Sequence, residues 1–475
     1  MLKTLLLNPP SYDGFDGGAG ARYQMRREVR SFWYPTWLAQ PAALIPSSKL
    51  VDAPPHGIGV DEALGIAAQY DLTIIHTSTP SVRNDIRFVE ALKARKPEAK
   101  VGFVGAHVAV LPGETLKACP ALDFVARKEF DFTCKEIAED RPFDEIDGIS
   151  YRDGGKIVHN PERGLIANMD DLPSVLNVYK RDLKIENYYN GYLKHPYMSL
   201  YTGRGCRSRC SFCLWPQTIG GHNYRVHSPA YVYEEMKLAK SLFPNVKEFF
   251  FDDDTFTGDR QRAEDIARRL KTLGITWSCN ARANVPYETL KVMRECGLRL
   301  LLVGFESGNQ QILNNIRKGT RIDRIRQFVR DCKRLGIKIH GTFILGLPGE
   351  TRETIRQTIE YAREIDPDTI QVSLAAPYPG TELYAQAVAN GWLKKDTLLD
   401  EHGLQEAALE YPDLSREEIF RSVEDFYRRF YMRPRPILRI LKEMALDRQE
   451  CARRLREGYE FVRFLSERRQ PTHPY

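Results

Sequence analysis

Short apolar runs alternating with helical stretches recur in two series along the chain, and that repetition restricts the fold more than any other feature. The runs at 4–7, 72–76, 101–105 and 123–126 are continuous, short, and separated by helical stretches such as 85–95. Buried strands alternating with helices predict an α/β, doubly wound parallel sheet whose ligands sit beyond the carboxyl ends of the strands. The loops after Leu7, His76 and Gly105 are therefore where a ligand is expected. A second series at 198–201, 248–251, 276–278, 300–304, 338–346 and 369–374 predicts a partial (β/α)6 barrel with its chemistry at the same strand ends.

Between the two series, 148–158 reads as a hairpin around an Asp-Gly-Gly turn, and Asp170-Asp171-Leu172-Pro173 marks a boundary. The expected division is 1–145 for the doubly wound unit, 146–194 for a hairpin and linker, 195–400 for the barrel and 401–475 for a basic helical region. A length of 475 residues suits about three such units. With 42% hydrophobic and 28% charged residues and a net charge of +6, global disorder is excluded. No run reaches the roughly 20 apolar residues of a membrane-spanning helix, and the first ten residues are too short for a secretory signal. A cytoplasmic protein with no nucleic-acid partner is expected. Residues 415–469 hold 15 Lys+Arg against 10 Asp+Glu. That region reads either as a solvated cap or as an amphipathic face approaching an anionic membrane through Phe426, Tyr427, Phe430, Tyr431, Ile437, Leu438 and Leu441, which would place the protein at the inner membrane.

Three of the nine cysteines fall within eight residues, as Cys206-Arg207-Ser208-Arg209-Cys210-Ser211-Phe212-Cys213. This CxxxCxxC spacing lets one tight loop give three thiolates to a [4Fe–4S] cluster and leaves one iron open to an outside ligand. The alternative is zinc, with His222 or His227 as fourth ligand.

At these residues the sequence resembles the radical S-adenosylmethionine (SAM) superfamily, whose CxxxCxFC signature Phe212 completes. The resemblance implies that the open iron chelates SAM and that reductive cleavage yields a 5′-deoxyadenosyl radical, with flavodoxin or ferredoxin as electron donor. It further implies SAM contacts from Phe212, from Asp252, Asp253 and Asp254 after the second strand, and from Arg282 after the third. Glu306 and Ser307 after the fourth strand, and Gly346 and Glu350 in a segment resembling GxIxGxxGE, complete the set. Thr342 stands where that last pattern begins with glycine.

A doubly wound unit before such a barrel resembles the cobalamin-binding arrangement, with His76, Gly105 and His107 as candidate contacts. The DxHxxG motif that supplies a histidine beneath cobalt is missing, so no lower ligand is assigned. The strings at 15–23, 31–41 and 213–225 resemble hopanoid-biosynthesis-associated radical SAM proteins with a B12-binding domain. That resemblance implies a hopanoid lipid substrate and contraction of a glucosaminyl bacteriohopanetetrol to its cyclitol ether. The aromatic strip Phe32, Trp33, Tyr34 and Trp37 then guides the lipid, or else forms a core between units. His222, Tyr224 and Arg225 follow the cluster loop closely enough to meet substrate. The other readings are a cobalamin-dependent methyltransferase and a non-catalytic protein that holds a cluster or zinc.

Overall fold

The computed structural model describes residues 1–13, 29, 31–395, 397–400, 403–446 and 448–468; the string at 15–23 lies outside them. The first sheet contains β1 (Thr4–Asn8), β2 (Ser48–Asp52), β3 (Leu72–His76), β4 (Lys100–Val104), β5 (Phe124–Ala126), β6 (Ile149–Asp153) and β7 (Lys156–His159). Its order is β2-β1-β3-β4-β5-β6-β7, parallel through β5 and antiparallel beyond. The order reverses between β1 and β3, which makes the crevice beyond those two strands the natural ligand position. The hairpin β6–β7 forms where expected, but it extends this sheet instead of linking two units. Pairing with β5 satisfies backbone groups that a free linker would leave to water.

After β8 (Tyr197–Leu200), the chain makes a short antiparallel ribbon from β9 (Gly203–Arg204) and β10 (Arg225–Val226), which brackets the cysteine loop. It continues through β11 (Glu248–Phe251), β12 (Trp277–Ala281), β13 (Leu298–Glu306), β14 (Lys338–Leu345) and β15 (Thr369–Leu374). All six long strands are parallel, in the order β15-β14-β13-β12-β11-β8, so the barrel is open between β15 and β8.

An open edge exposes unpaired backbone groups, and here side chains take them up. The backbone N–H groups of Ile370 and Val372 donate to the Tyr431 and Tyr427 hydroxyls at 3.0 and 2.9 Å. Gln405 pairs with Leu374 like another strand residue, accepting from its N–H at 3.1 Å and donating to its carbonyl at 2.8 Å. Phe426, Tyr427 and Phe430 of the helix Arg416–Tyr431 are thereby core residues, at most 1% exposed, which removes them from the membrane face expected of them.

On the β8 side the aromatic strip fills the gap between units. Tyr34 stacks on Tyr188 at 4.2 Å and donates to the Tyr197 carbonyl at 2.7 Å, while Trp33 packs on Phe250 at 5.9 Å. Phe32, Trp33 and Tyr34 are buried, so the strip is an inter-unit core and not an open lipid path. A buried ion network adds a second fastening: Arg204 donates to both Asp131 oxygens at 2.6 and 3.0 Å, and Arg225 to both Glu129 oxygens at 2.7 Å.

Candidate active site at the facing strand ends

Backbone geometry at Gly205 sets the start of the cysteine loop. It has φ +87°, and a Cβ there would lie 2.3 Å from the Asn223 carbonyl oxygen, so only glycine admits the turn before Cys206. Gln217 then staples the loop, its amide donating to the carbonyls of Cys210, Ser211 and Cys213 at 3.3, 3.2 and 2.8 Å. Its own oxygen accepts the Glu382 N–H at 2.9 Å, which ties the loop to the segment after β15.

Cys206, Cys210 and Cys213, all unbridged, line one cavity of about 300 Å³ at the carboxyl ends of the barrel strands. Burial, reinforced by the nearby Asp254, Cys210 and Cys206, pushes the Cys213 thiol well above its ordinary range. A cationic centre would favour the thiolate there by supplying the missing opposite charge. Among the described residues no three His, Cys, Asp or Glu side chains converge on a single ion position. The expected zinc partners are also engaged elsewhere: His222 Nδ1 lies 3.2 and 3.0 Å from the carbonyls of Cys206 and Ser208, and His227 pairs with Asp170 at 3.3 Å and stacks on Tyr231 at 4.1 Å. Three thiols around a cavity of this size fit a multi-atom iron–sulfur cluster.

Opposite the thiols the cavity carries paired charge. Glu306 holds φ +64° at the end of β13, a conformation strained for a residue with a Cβ, and its Oε1 accepts from Lys318 Nζ at 2.6 Å. Arg282 donates to Ser208 and to the Lys318 carbonyl, which links the cluster loop to this pair. Asn280 donates to Asp252 and to the Asp253 carbonyl at 3.0 and 2.9 Å, leaving its buried Oδ1 without a partner at the cavity wall.

A second, small cavity lies where the carboxyl ends of both sheets meet, lined by Asn8, His76, Tyr201, Asp252, Trp37, Trp33 and Trp215 among others. Trp33 and Trp215 line both cavities, and Trp215 stacks on Trp37 at 5.3 Å with 8° between the rings. Asn8 Oδ1 and His76 Nε2 are buried here without partners, and burial pushes His76 down to about 4, so its ring is neutral at ordinary pH.

Comparison with known proteins bears on this geometry. The radical SAM superfamily profile matches residues 200–362. An uncharacterized methyltransferase of Pyrococcus horikoshii is 31% identical over 460 residues, covering 93% of this chain and 95% of that protein. The chain belongs to the radical SAM superfamily. The hopanoid C-3 methylase of Methylococcus capsulatus is 27% identical over 62% of this chain and 56% of its own length. Among solved structures, the radical SAM methyltransferase TsrM of Kitasatospora setae, with cobalamin and a [4Fe–4S] cluster bound, superposes with a TM-score of 0.67 over 90% of this chain and 89% of its own. At 15% identity that likeness is one of fold, and it extends across both sheets.

Within this radical SAM frame, the structure brings together Cys206, Cys210, Cys213, Phe212, Asp254, Arg282 and Glu306 around the larger cavity. It places the five other expected SAM contacts elsewhere. Asp253 is fully buried and accepts from Thr202 Oγ1 and the Tyr224 hydroxyl, each at 2.7 Å, so it buttresses the ribbon. Asp252 faces the smaller cavity. Ser307, also fully buried, bonds Thr358 at 3.1 Å. Glu350 accepts the N–H groups of Gly346 and Leu347 at 2.6 and 3.2 Å and holds the turn after β14, with burial pushing its carboxyl up to about 8. Gly346, at φ +85°, makes that turn, and its missing Cβ faces Ile419.

Of the three candidate cobalamin contacts, His76 lines the smaller cavity. Gly105 backs His76 with its open Cα face, where a Cβ would lie 3.2 Å from Nε2. His107 bonds Thr79 at 3.1 Å instead, and burial pushes it down to about 4. Among expected substrate contacts, Tyr224 and Arg225 are structural, bonded to Asp253 and Glu129. Sequence reasoning missed Lys318, Asn280 and Gln217.

Proposed function

We propose that this radical SAM enzyme is a cobalamin-dependent methyltransferase acting on an unactivated carbon of an apolar substrate of the hopanoid class. The observation that carries the reading is the common wall: Trp33 and Trp215 line both the three-thiol cavity and the cavity at the facing sheet ends. Two reactive centres whose chemistry must meet at one substrate need such adjacency. Cys206, Cys210 and Cys213 would hold a [4Fe–4S] cluster, which supplies an open iron for SAM and the electron that cleaves it. His76 and Asn8 face the place where cobalamin would supply a transferable methyl group.

The protein's own part is placement. Arg282 and Lys318 carry the positive charge to meet the SAM carboxylate, and Asp254, Glu306 and Asn280 Oδ1 supply acceptors for its ammonium and hydroxyl groups. Phe212, Leu214, Trp215 and Phe343 keep the cavity apolar beside these groups, which excludes water from a radical. Support for methyl transfer and for the hopanoid class comes from the named relatives, a methyltransferase and a hopanoid methylase. Ring contraction of a glucosaminyl hopanoid is carried only by the sequence strings and stands as the second outcome of the same experiment.

That experiment profiles intact hopanoids in a strain lacking the gene, beside a complemented strain fed methyl-labelled methionine. Loss of a product carrying the labelled methyl supports the proposal. Accumulation of the glucosaminyl lipid with loss of the cyclitol ether would replace it with ring contraction, and an unchanged hopanoid profile would remove the hopanoid class.

A further inference from the structure

The helices Pro434–Leu446 and Arg448–Arg468 pack against one another after the helix that seals the barrel edge. One face of this pair is fastened inward. Phe461 packs on Tyr427 and Tyr431 at 5.2 and 5.9 Å, Arg453 donates to the Leu193 carbonyl at 3.0 Å, and the Tyr189 hydroxyl donates to Glu457.

The outward face is unusual in what it exposes. Of the ten large hydrophobic residues exposed among the described residues, six fall in this pair and a seventh, Met432, lies just before it: Ile437, Leu438, Leu441, Leu455, Tyr459 and Val462 complete the set, and all seven are 43% to 70% exposed. Ile437, Leu438 and Leu441 follow i, i+1, i+4 spacing, and Leu455, Tyr459 and Val462 follow i, i+4, i+7, so each helix presents one apolar stripe. Exposed apolar residues concentrated like this mark a surface that binds something. Exposed Arg435 and Lys442 flank the first stripe, and Arg456 and Arg463 the second. Residues 432–468 hold ten Lys+Arg against six Asp+Glu.

We infer that this helical pair docks on an anionic membrane surface. An apolar stripe edged with cations matches a bilayer whose acyl boundary lies beneath negative headgroups. A second copy of the chain would set these cations against one another. No helix among the described residues is long and apolar enough to cross a membrane, so the contact is interfacial. The site differs from the face expected from sequence, since Phe426, Tyr427 and Phe430 are core while Ile437, Leu438 and Leu441 remain outside. The inference does not rest on the proposed reaction.

Sedimentation of the full chain with vesicles tests it. Binding to phosphatidylcholine vesicles containing roughly one-third phosphatidylglycerol is expected to exceed binding to pure phosphatidylcholine about tenfold at low salt, and to collapse at about 0.5 M salt. The variants Leu438→Glu/Leu441→Glu and Leu455→Glu/Tyr459→Glu should each lower binding about tenfold with unchanged melting, because the altered side chains are solvent-facing. Wild-type protein that ignores anionic vesicles, or variants that bind as well as wild type, would overturn the inference. A dimer seen by light scattering and dissolved by both variants would overturn it too, assigning the face to a second copy.

Discussion

The two cavities that share Trp33 and Trp215 differ in the balance of charged and neutral groups that line them. The larger is edged by thiols and by charges already neutralised in pairs, such as Glu306 with Lys318. The smaller keeps the neutral polar atoms Asn8 Oδ1 and His76 Nε2 unpartnered. A pocket of paired charge suits a zwitterion, whose own charges trade places with those pairs. One with unsatisfied neutral atoms suits a ligand rich in amide and hydroxyl groups. The two cavities meet at the indole walls of Trp33 and Trp215 and through the hydrogen bond from Asn280 to Asp252.

The largest effect should come from the thiols. Cys206→Ala is expected to lower SAM cleavage at least about 100-fold and to reduce bound iron, while His76→Ala leaves cleavage intact. Cleavage at wild-type rate in Cys206→Ala, measured as 5′-deoxyadenosine by chromatography, would erase the distinction between the cavities.

Charge pairing is the next point of attack. Lys318→Met leaves Glu306 buried, unpaired and in a strained conformation, and should cost about 3–5 kcal/mol in a urea titration. Replacing both, as Lys318→Met with Glu306→Gln, should recover much of that loss. No recovery would show that the pair is not what balances the cavity.

Glu350 sharpens the contrast, because it is a buried carboxyl held by two N–H donors yet pushed up to about 8 by burial. Below its ordinary value near 4.5 it is protonated folded and unfolded, and it has no effect on the pH dependence. Between 4.5 and about 8 only the unfolded chain ionises, so stability falls as pH rises, by roughly 5 kcal/mol in all, and above 8 the curve flattens. Melting Glu350→Gln beside wild type from pH 5 to 9 should show the difference growing to pH 8. A constant difference contradicts it.

The smallest effect belongs to the smaller cavity. His76→Ala should weaken cobalamin binding about tenfold by equilibrium dialysis, the cost of one lost buried partner. Unchanged affinity would remove His76 from that site.

The barrel was legible because short strand-like runs rich in apolar residues recur with helical stretches between them, and β11 and β15 fall where the runs at 248–251 and 369–374 place them. Ser48–Asp52 was not, because only Leu50 and Val51 are apolar between Lys49 and Asp52; it is a strand through its pairing with β1. The three thiols announced themselves by spacing. Lys318 did not, since it lies twelve residues beyond Glu306 and meets it only through the loop that returns to the cavity. Acidic residues at a strand end look alike in sequence, and packing alone sends Asp254 to the cavity and Asp253 to Tyr224.

The central claim is that three cysteines hold a cluster whose fourth iron is free to take SAM. The most direct measurement is electron paramagnetic resonance of the anaerobically reconstituted, dithionite-reduced protein with and without SAM. The account predicts a reduced [4Fe–4S] signal whose g values shift when SAM is added. A signal indifferent to SAM, or protein that takes up zinc and yields no cluster signal, would contradict it.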